Sequence, residues 1–408
     1  MKLAVVHLEA STGGWAYIYN LIRAMKDIDK MLEITLLTNS IYATKNEYIS
    51  LLKNMDIKII NSKIKSYYKF KLKKKCKNNF INSIINKVRK HIYDSKQKPT
   101  KKLINILKEQ DIVFYSWPYG IMPFNIDKKT YFIPHDFIYT HCFSSRSVYT
   151  KNMVEDIFKY HKEFLKLATP IVSSDFIAKE LKTTFPEYKE NINIVYLPSL
   201  SNLKQEYNLE KNNILKKYGI DGDYILSANN MEVHKNLGQI VSAMYYVKQK
   251  YPNIKLVLTG YGTEDFNGII DSPLYFNWLD ATENRDVVGL GVVNNEDFSV
   301  ILENAKILVT TSLCEAGSGS ALDAWSMGVP VVMSDIEAFR NQVKFLGTTA
   351  EFCNPRNNED VARGILKLLD NPEKSKEQGL ISKNAMERYN WHDVGKKYLE
   401  IFKNGLNE

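Results

Sequence analysis

Long apolar runs, paired metal-ligand motifs and compositional extremes are all missing from this sequence. No stretch of 18 apolar residues occurs, so no segment reads as a membrane-spanning helix. The apolar part of MKLAVVHLEASTGG covers only Leu3–Leu8, contains His7 and meets Glu9. That is too short and too polar for a secretory leader, so a cytoplasmic protein is expected. Four cysteines, Cys76, Cys142, Cys314 and Cys353, stand far apart with no CxxC pair. A zinc ribbon or dithiol motif is thereby excluded, and scattered free thiols fit a reducing compartment. The seven histidines include no HExxH, and the nearest pair is His135 and His141, so no metal site is expected. With 44% hydrophobic and 25% charged residues, the chain is neither disordered nor fibrous, and it shows no internal repeat.

What is present is length enough for two hydrophobic cores: 408 residues exceed what one core usually serves. Short runs of Ile, Val and Leu recur between amphipathic helical stretches. The first series is Leu3–Leu8, Ile34–Leu37, Ile57–Ile60, Ile112–Tyr115, Ile171–Ser173 and Ile194–Leu197. The second is Tyr224–Ala228, Ile254–Thr259, Asp286–Leu290, Ile307–Thr310 and Val329–Met333. Apolar strands alternating with helices predict parallel sheets covered on both faces. Eleven strands in a series that restarts predict two α/β domains, with the joint in the polar segment near residue 205. The last stretch, Asn390–Lys403, reads as an amphipathic helix.

The net charge of +9 is local in origin. Residues Lys63–Lys102 hold 15 Lys and Arg against the single acid Asp94, a charge of +14 that leaves −5 for the rest. Tyr67, Tyr68, Phe70 and several isoleucines are interleaved with these cations. This pattern suits an anionic membrane surface ahead of nucleic acid, and each cation near such a surface contributes about 1 kcal/mol.

Ligands of open parallel sheets sit where strands end and helices begin, so those junctions are the places to look. In the first, Gly13 and Gly14 open a helix and let backbone amides approach a ligand. In the second, the strand ending at Ala228 is followed by Asn229, Asn230 and then Lys235 before a helix. A cation at a helix N-terminus runs against the helix dipole, and makes sense if a phosphate is bound there. In the third, Glu315 follows a strand, the loop AGSGSA spans Ala316–Ala321, and a helix carrying Asp323 stops at Gly328 before Pro330. Two carboxylates with the amides of Gly317, Ser318, Gly319 and Ser320 between them suit a molecule with hydroxyls at both ends and phosphates in the middle. A nucleotide sugar is such a molecule.

These segments resemble glycosyltransferase family 4, the retaining transferases of the glycosyltransferase B fold. YILSANNMEVHKN, KLVLTGYGTEDF, VVGLGVVNNEDFSVILENAKILVTTSLCEAGSGSALDAWSMGVPVVMSD and AEFCNPRNNEDVARGILKLL follow in the family's order. The resemblance covers about residues 222–405 and continues more weakly through Gly13–Gly14, FIPHDF and IVSSDFIAKEL. It implies two Rossmann-like α/β domains facing a cleft: an acceptor domain at 1–204, a donor domain at 205–389, and a helix at 390–408 returning to the first. It also implies that Glu315 contacts the donor sugar, Asp323 holds the ribose and the amides of Gly317 to Ser320 cover the sugar and distal phosphate. Lys235 neutralises the diphosphate, and His135 hydrogen-bonds the sugar. The family's arginine position is Asn230, its second acid is here Asp323, and its EGFG opening is EAGSG.

The expected activity is therefore metal-independent hexosyl transfer, with retention, from a nucleotide sugar to a glycan or lipid-linked glycan precursor. No cofactor is needed, and the enzyme would work on the cytoplasmic side, peripherally on the membrane. An epimerase or hydrolase of the same fold, a nucleic-acid glucosyltransferase and a silent binding protein are the alternatives. An epimerase would need further acid–base carboxylates around the sugar, and the sequence offers no clear set.

Overall fold

The computed structural model describes residues 1–8, 12–39, 47–62, 100–118, 121–141, 151–201, 211–264 and 286–407. The basic stretch Lys63–Lys102 lies almost entirely outside the described residues. The described elements begin with β1 (Lys2–Val6), α1 (Thr12–Ile28), β2 (Glu33–Thr38), α2 (Glu47–Lys53), β3 (Lys58–Asn61), α3 (Lys101–Lys108) and β4 (Ile112–Tyr115). Next come β5 (Lys129–Phe132), α4 (Ile138–His141), α5 (Lys151–Leu167), β6 (Thr169–Val172), α6 (Asp175–Thr184) and β7 (Asn193–Ile194). The second series is α7 (Lys211–Lys217), β8 (Tyr224–Ala228), α8 (Leu237–Lys250), β9 (Lys255–Thr259), β10 (Val287–Gly289), α9 (Asn295–Glu303) and β11 (Ile307–Thr310). It closes with α10 (Gly319–Met327), β12 (Val331–Ser334), α11 (Glu337–Leu346), β13 (Glu351–Cys353), α12 (Asn358–Leu369), α13 (Pro372–Glu387) and α14 (Trp391–Leu406).

The chain divides into two compact units. Unit 1 comprises Met1–His135, Lys151–Tyr196 and Trp391–Glu408. Its seven strands form a parallel sheet in the order β3-β2-β1-β4-β5-β6-β7. Strand β1 lies between β2 and β4, with Leu3 level with Ile34 and Ile112. Leu3, Ala4 and Val5 are wholly buried, as an apolar run without alternation requires. Helix α14 packs on α1: Gly395 brings the backbones so close that a Cβ there would lie 2.9 Å from that of Ala24. The Tyr17 hydroxyl donates to that of Tyr398 at 2.6 Å, and Phe402 packs against Phe114 and Tyr131.

Unit 2 comprises Asp136–Thr150 and Leu197–Asn390. Its parallel sheet runs β10-β9-β8-β11-β12-β13. On one face, α8 and α12 bury Leu237, Ile240, Val241, Met244, Val361 and Ile365 against Ile225, Leu256 and Val309. Both sheets are parallel and helix-covered, so the α/β architecture with two Rossmann-like units is as expected. The sequence reading lacked β5 and β13. The first has Lys129 and Thr130 in its four residues, and the second is three residues beginning with Glu351, so neither stands out as an apolar run.

Candidate active site

The carboxyl ends of β8 and β11 carry the most densely connected polar cluster of unit 2. After β8, a turn of 3-10 helix at Val233–Lys235 ends at Asn236, whose φ of 55° is left-handed. Such a conformation strains a non-glycine residue, and here it is held by the side chain. Asn236 Nδ2 donates to the Thr311 carbonyl at 3.2 Å and the Pro355 carbonyl at 2.6 Å. Thr311 Oγ1 in return donates to the Asn236 carbonyl at 2.9 Å. The segments after β8, β11 and β13 are thereby stitched together, and Lys235 and Glu315 are set side by side.

Lys235 Nζ donates to Glu315 Oε1 at 2.5 Å. The Glu315 side chain is only 8% exposed, so the carboxylate that follows β11 sits in a largely buried ion pair. His234 Nε2 lies 3.9 Å from the same oxygen. Burial, ahead of the attraction of Glu315, pulls the His234 pKa below its ordinary value. Asp136 also falls in unit 2, and its carboxyl is pushed up to about 6, first by burial, with the Glu315 charge adding and Lys235 opposing. Asn230, at the end of β8, accepts from the Glu232 amide at 3.4 Å.

The loop before α10 is more committed than expected. The Ser318 N–H, read from sequence as a free amide, donates to Gln342 Oε1 at 2.8 Å, and Gln342 Nε2 returns a bond to the Ser318 carbonyl at 3.3 Å. Ser318 Oγ caps the helix by accepting from the Ala321 N–H at 3.1 Å. The remaining first-turn donors are those of Gly319 and Ser320, for which a helix start supplies no intrahelical acceptor. Gly317 touches the Gln342 amide, with 3.4 Å between its Cβ position and the nearest atom.

Asp323, in the next turn, is not open either. Its Oδ1 accepts from Ser199 Oγ at 2.6 Å and its Oδ2 from Ser201 Oγ at 2.8 Å. Burial pushes this carboxyl up to about 6, against the pull of the two hydroxyls and the Ser201 amide. The sequence reading missed both serines, along with His234 and Gln342.

Unit 1 has a separate cluster at the ends of β1 and β4. Gly13 and Gly14 lie in the first turn of α1, and a Cβ at Gly13 would meet nothing within 4 Å. His135 Nε2 donates to the Ser116 carbonyl at 2.7 Å, which fixes its tautomer when neutral. Burial lowers the His135 pKa to about 4, that hydrogen bond opposing. His135 packs against Trp117 at 4.7 Å and Tyr17 at 6.0 Å between ring centroids. His7 was passed over in the sequence. It is fully buried, edge-on to Trp15 at 4.3 Å, with Nδ1 2.9 Å from Ser116 Oγ.

Among the described residues no cluster of three His, Cys, Asp or Glu could hold a metal ion, and no helix is long and apolar enough to cross a membrane. The expectation of four free thiols fails at Cys314, beside Glu315, which is disulfide-bonded. Cys353 is free and buried.

Known proteins carry the same arrangement of elements. Residues 210–386 match the family model of glycosyl transferases group 1. That match holds the Lys235–Glu315 pair, the α10 loop and Asp323. An uncharacterized glycosyltransferase of Methanocaldococcus jannaschii is 23% identical over 239 residues, 57% of this chain and 59% of that protein, so the alignment spans little more than half of the relative. A glycosyltransferase from Rickettsia africae superposes with a TM-score of 0.67 at 15% identity, over 99% of this chain and 98% of its own. The Anabaena protein HepE, solved with UDP and glucose, gives 0.67 at 12% identity over 99% and 100%. At such identities the likeness shows the fold.

Proposed function

We propose that the protein is a glycosyltransferase that moves a sugar from a nucleoside diphosphate sugar to a hydroxyl of a glycan acceptor, with retention at the anomeric carbon. The observation that carries this reading is the largely buried Lys235–Glu315 pair, with Glu315 four residues ahead of α10, inside the segment that matches glycosyl transferases group 1. The presence of UDP and glucose in the Anabaena neighbour supports a donor of that class.

In this reading the anomeric carbon–oxygen bond to the diphosphate breaks, and a bond to the acceptor oxygen forms on the same face. The acceptor's proton passes to the departing diphosphate oxygen. Charge collects on the diphosphate, where a preorganised cation and fixed amide dipoles stabilise the transition state more than the ground state. Lys235 and the Gly319 and Ser320 amides supply that stabilisation, and Asn230 adds an uncharged donor. Glu315 accepts hydrogen bonds from the sugar, Asp323 from the ribose, and His135 and the Gly13–Gly14 turn serve the sugar and phosphates. The charge is met without a divalent ion, so turnover should persist in excess EDTA.

The acceptor is proposed to be a lipid-linked glycan precursor, with Lys63–Lys102 docking the enzyme on the cytoplasmic face of an anionic membrane. Co-sedimentation with vesicles should rise with anionic lipid and fall from 0.1 M to 1 M salt, as the Debye length drops from about 10 Å to about 3 Å. Equal recovery with neutral vesicles would remove the docking role. For the donor, the test is a thermal-shift panel of nucleotide sugars followed by NMR of the product. A true donor at 100 times its Kd stabilises by about 2.7 kcal/mol. Absence of any shift across the panel, or an inverted anomer, would overturn the corresponding part of the reading.

A further inference from the structure

Asp323 stands out in unit 2 because both of its carboxylate oxygens accept hydroxyls of the chain itself, with the Ser201 amide adding to them. The side chain is buried, on the first turns of α10, and each carboxylate oxygen accepts one hydroxyl: Ser199 at 2.6 Å and Ser201 at 2.8 Å. Those hydroxyls come from Leu197–Ser201, the piece of chain by which unit 2 resumes after Tyr196. Ser199 Oγ also lies 3.0 Å from the Ser201 carbonyl, so the two serines form one local turn rather than two independent contacts.

Two hydroxyls presented to the two oxygens of one carboxylate is the pattern a vicinal diol makes. A ribose offers such a diol through its 2′ and 3′ hydroxyls, in neutral groups of the same donor strength as serine. We infer that Ser199 and Ser201 form an internal latch on Asp323, occupying the positions that the ribose diol of the donor takes, so that nucleotide binding exchanges serine hydroxyls for ribose hydroxyls and frees the Leu197–Ser201 segment. This rests on the reading of Asp323 as the ribose-binding acid. The exchange replaces two hydrogen bonds to a charged acceptor with two others, so it is nearly neutral in the bonds themselves. The apparent donor affinity is then reduced by the population of the latched form, as for any ligand that selects a minor state. An open carboxylate would bind the diol without that competition.

The latch makes the serines inhibitory, the opposite of what residues that merely brace a binding site would be. The probes are UDP, GDP and ADP with their 2′,3′-dideoxy counterparts, titrated calorimetrically into the full chain and into the Ser199→Ala/Ser201→Ala double variant. The expected result is ribonucleotide binding about tenfold tighter in the variant, the scale of one competing bond to a charged acceptor, with dideoxynucleotide binding unchanged. A Ser201→Thr variant, which keeps the hydroxyl, should match the unaltered protein. If the double variant does not fold, Ser201→Ala alone should tighten ribonucleotide binding about threefold. Unchanged or weaker ribonucleotide binding in the serine variants would overturn the latch and leave the serines as bracing. Equal affinity for ribo- and dideoxynucleotides in both proteins would show that Asp323 holds no diol, overturning the latch while leaving the donor site intact. Failure of every nucleotide to bind either protein would overturn the donor reading itself, and the latch with it.

Discussion

Replacing Lys235 with methionine keeps the length of the side chain and deletes its charge, leaving Glu315 buried without its cation. Removing one member of a fully buried pair costs about 3–5 kcal/mol, because the remaining charge is left in a poorly solvating site. Glu315 is 8% exposed but Lys235 is 21% exposed, so water already shares part of the interaction. The lower end of the range applies, discounted for that access: about 2–3 kcal/mol. Unit 2 is of the size in which 1 kcal/mol moves Tm by about 2–4 °C, so Lys235→Met should melt about 5–10 °C lower. Glu315→Gln should cost less, since the lysine left behind can turn to solvent. Urea denaturation of the two single variants and the double variant closes a thermodynamic cycle. A coupling of at least about 1 kcal/mol is expected, with the double variant more stable than the sum of the singles predicts. Additivity within about 0.5 kcal/mol, or a Lys235→Met protein as stable as the original, would show that the contact contributes nothing to the fold.

Three further outcomes follow from the geometry. The Asp323 carboxyl, held near 6 when folded against 3.8 ordinarily, binds its proton more tightly in the folded state. Stability should therefore fall as pH rises from 4 to 6 and level off above, by on the order of 3 kcal/mol from this group; urea titrations of Asp323→Asn should lose that share of the slope, and an unchanged profile would refute the assignment. Gly260 has φ +133° and its Cβ position runs into the Asn229 carbonyl, so Gly260→Ala should cost at least about 2 kcal/mol, whereas Gly13→Ala, in open space on a helix, should raise Tm slightly and increase donor KM if its amide serves a ligand. Glu315→Gln should lower kcat by about 10²-fold or more in a transfer assay with the identified donor, and near-normal turnover in folded protein would remove it from the chemistry.

Much of the frame was legible because it is written locally. Tyr224–Ala228 and Ile307–Thr310 stand out as unbroken apolar runs, and both are strands with the boundaries expected. Gly328 before Pro330 ends α10 in the left-handed conformation that the pair of residues announces. The candidate site residues were chosen by type and junction, and their partners were not legible. Glu315 and Lys235 are 80 positions apart, and Asp323 is 122 and 124 positions from its serines. Nothing local marks a serine in LPSLSN as the partner of an aspartate on a distant helix. The same holds for Gln342, an interior helix residue by pattern, which takes one of the four loop amides that the sequence suggested were available. Buried polar pairs are settled by three-dimensional packing, and periodicity carries no record of them.

The packing of α14 on α1 has a consequence for how the molecule is made. Val394, Tyr398 and Phe402 are wholly or almost wholly buried in unit 1, against residues from its first hundred or so positions. Unit 1 is thus assembled from Met1–His135, Lys151–Tyr196 and Trp391–Glu408, and most of unit 2, Leu197–Asn390, lies between the last two of these segments. During synthesis, at roughly 5–20 residues per second, the β1-centred sheet must wait tens of seconds for its closing helix. Unit 2 can complete its core in that interval. That would reverse the usual order, in which the N-terminal body of a nascent chain finishes first, and leave the face of α1 that receives Tyr398 uncovered until α14 arrives.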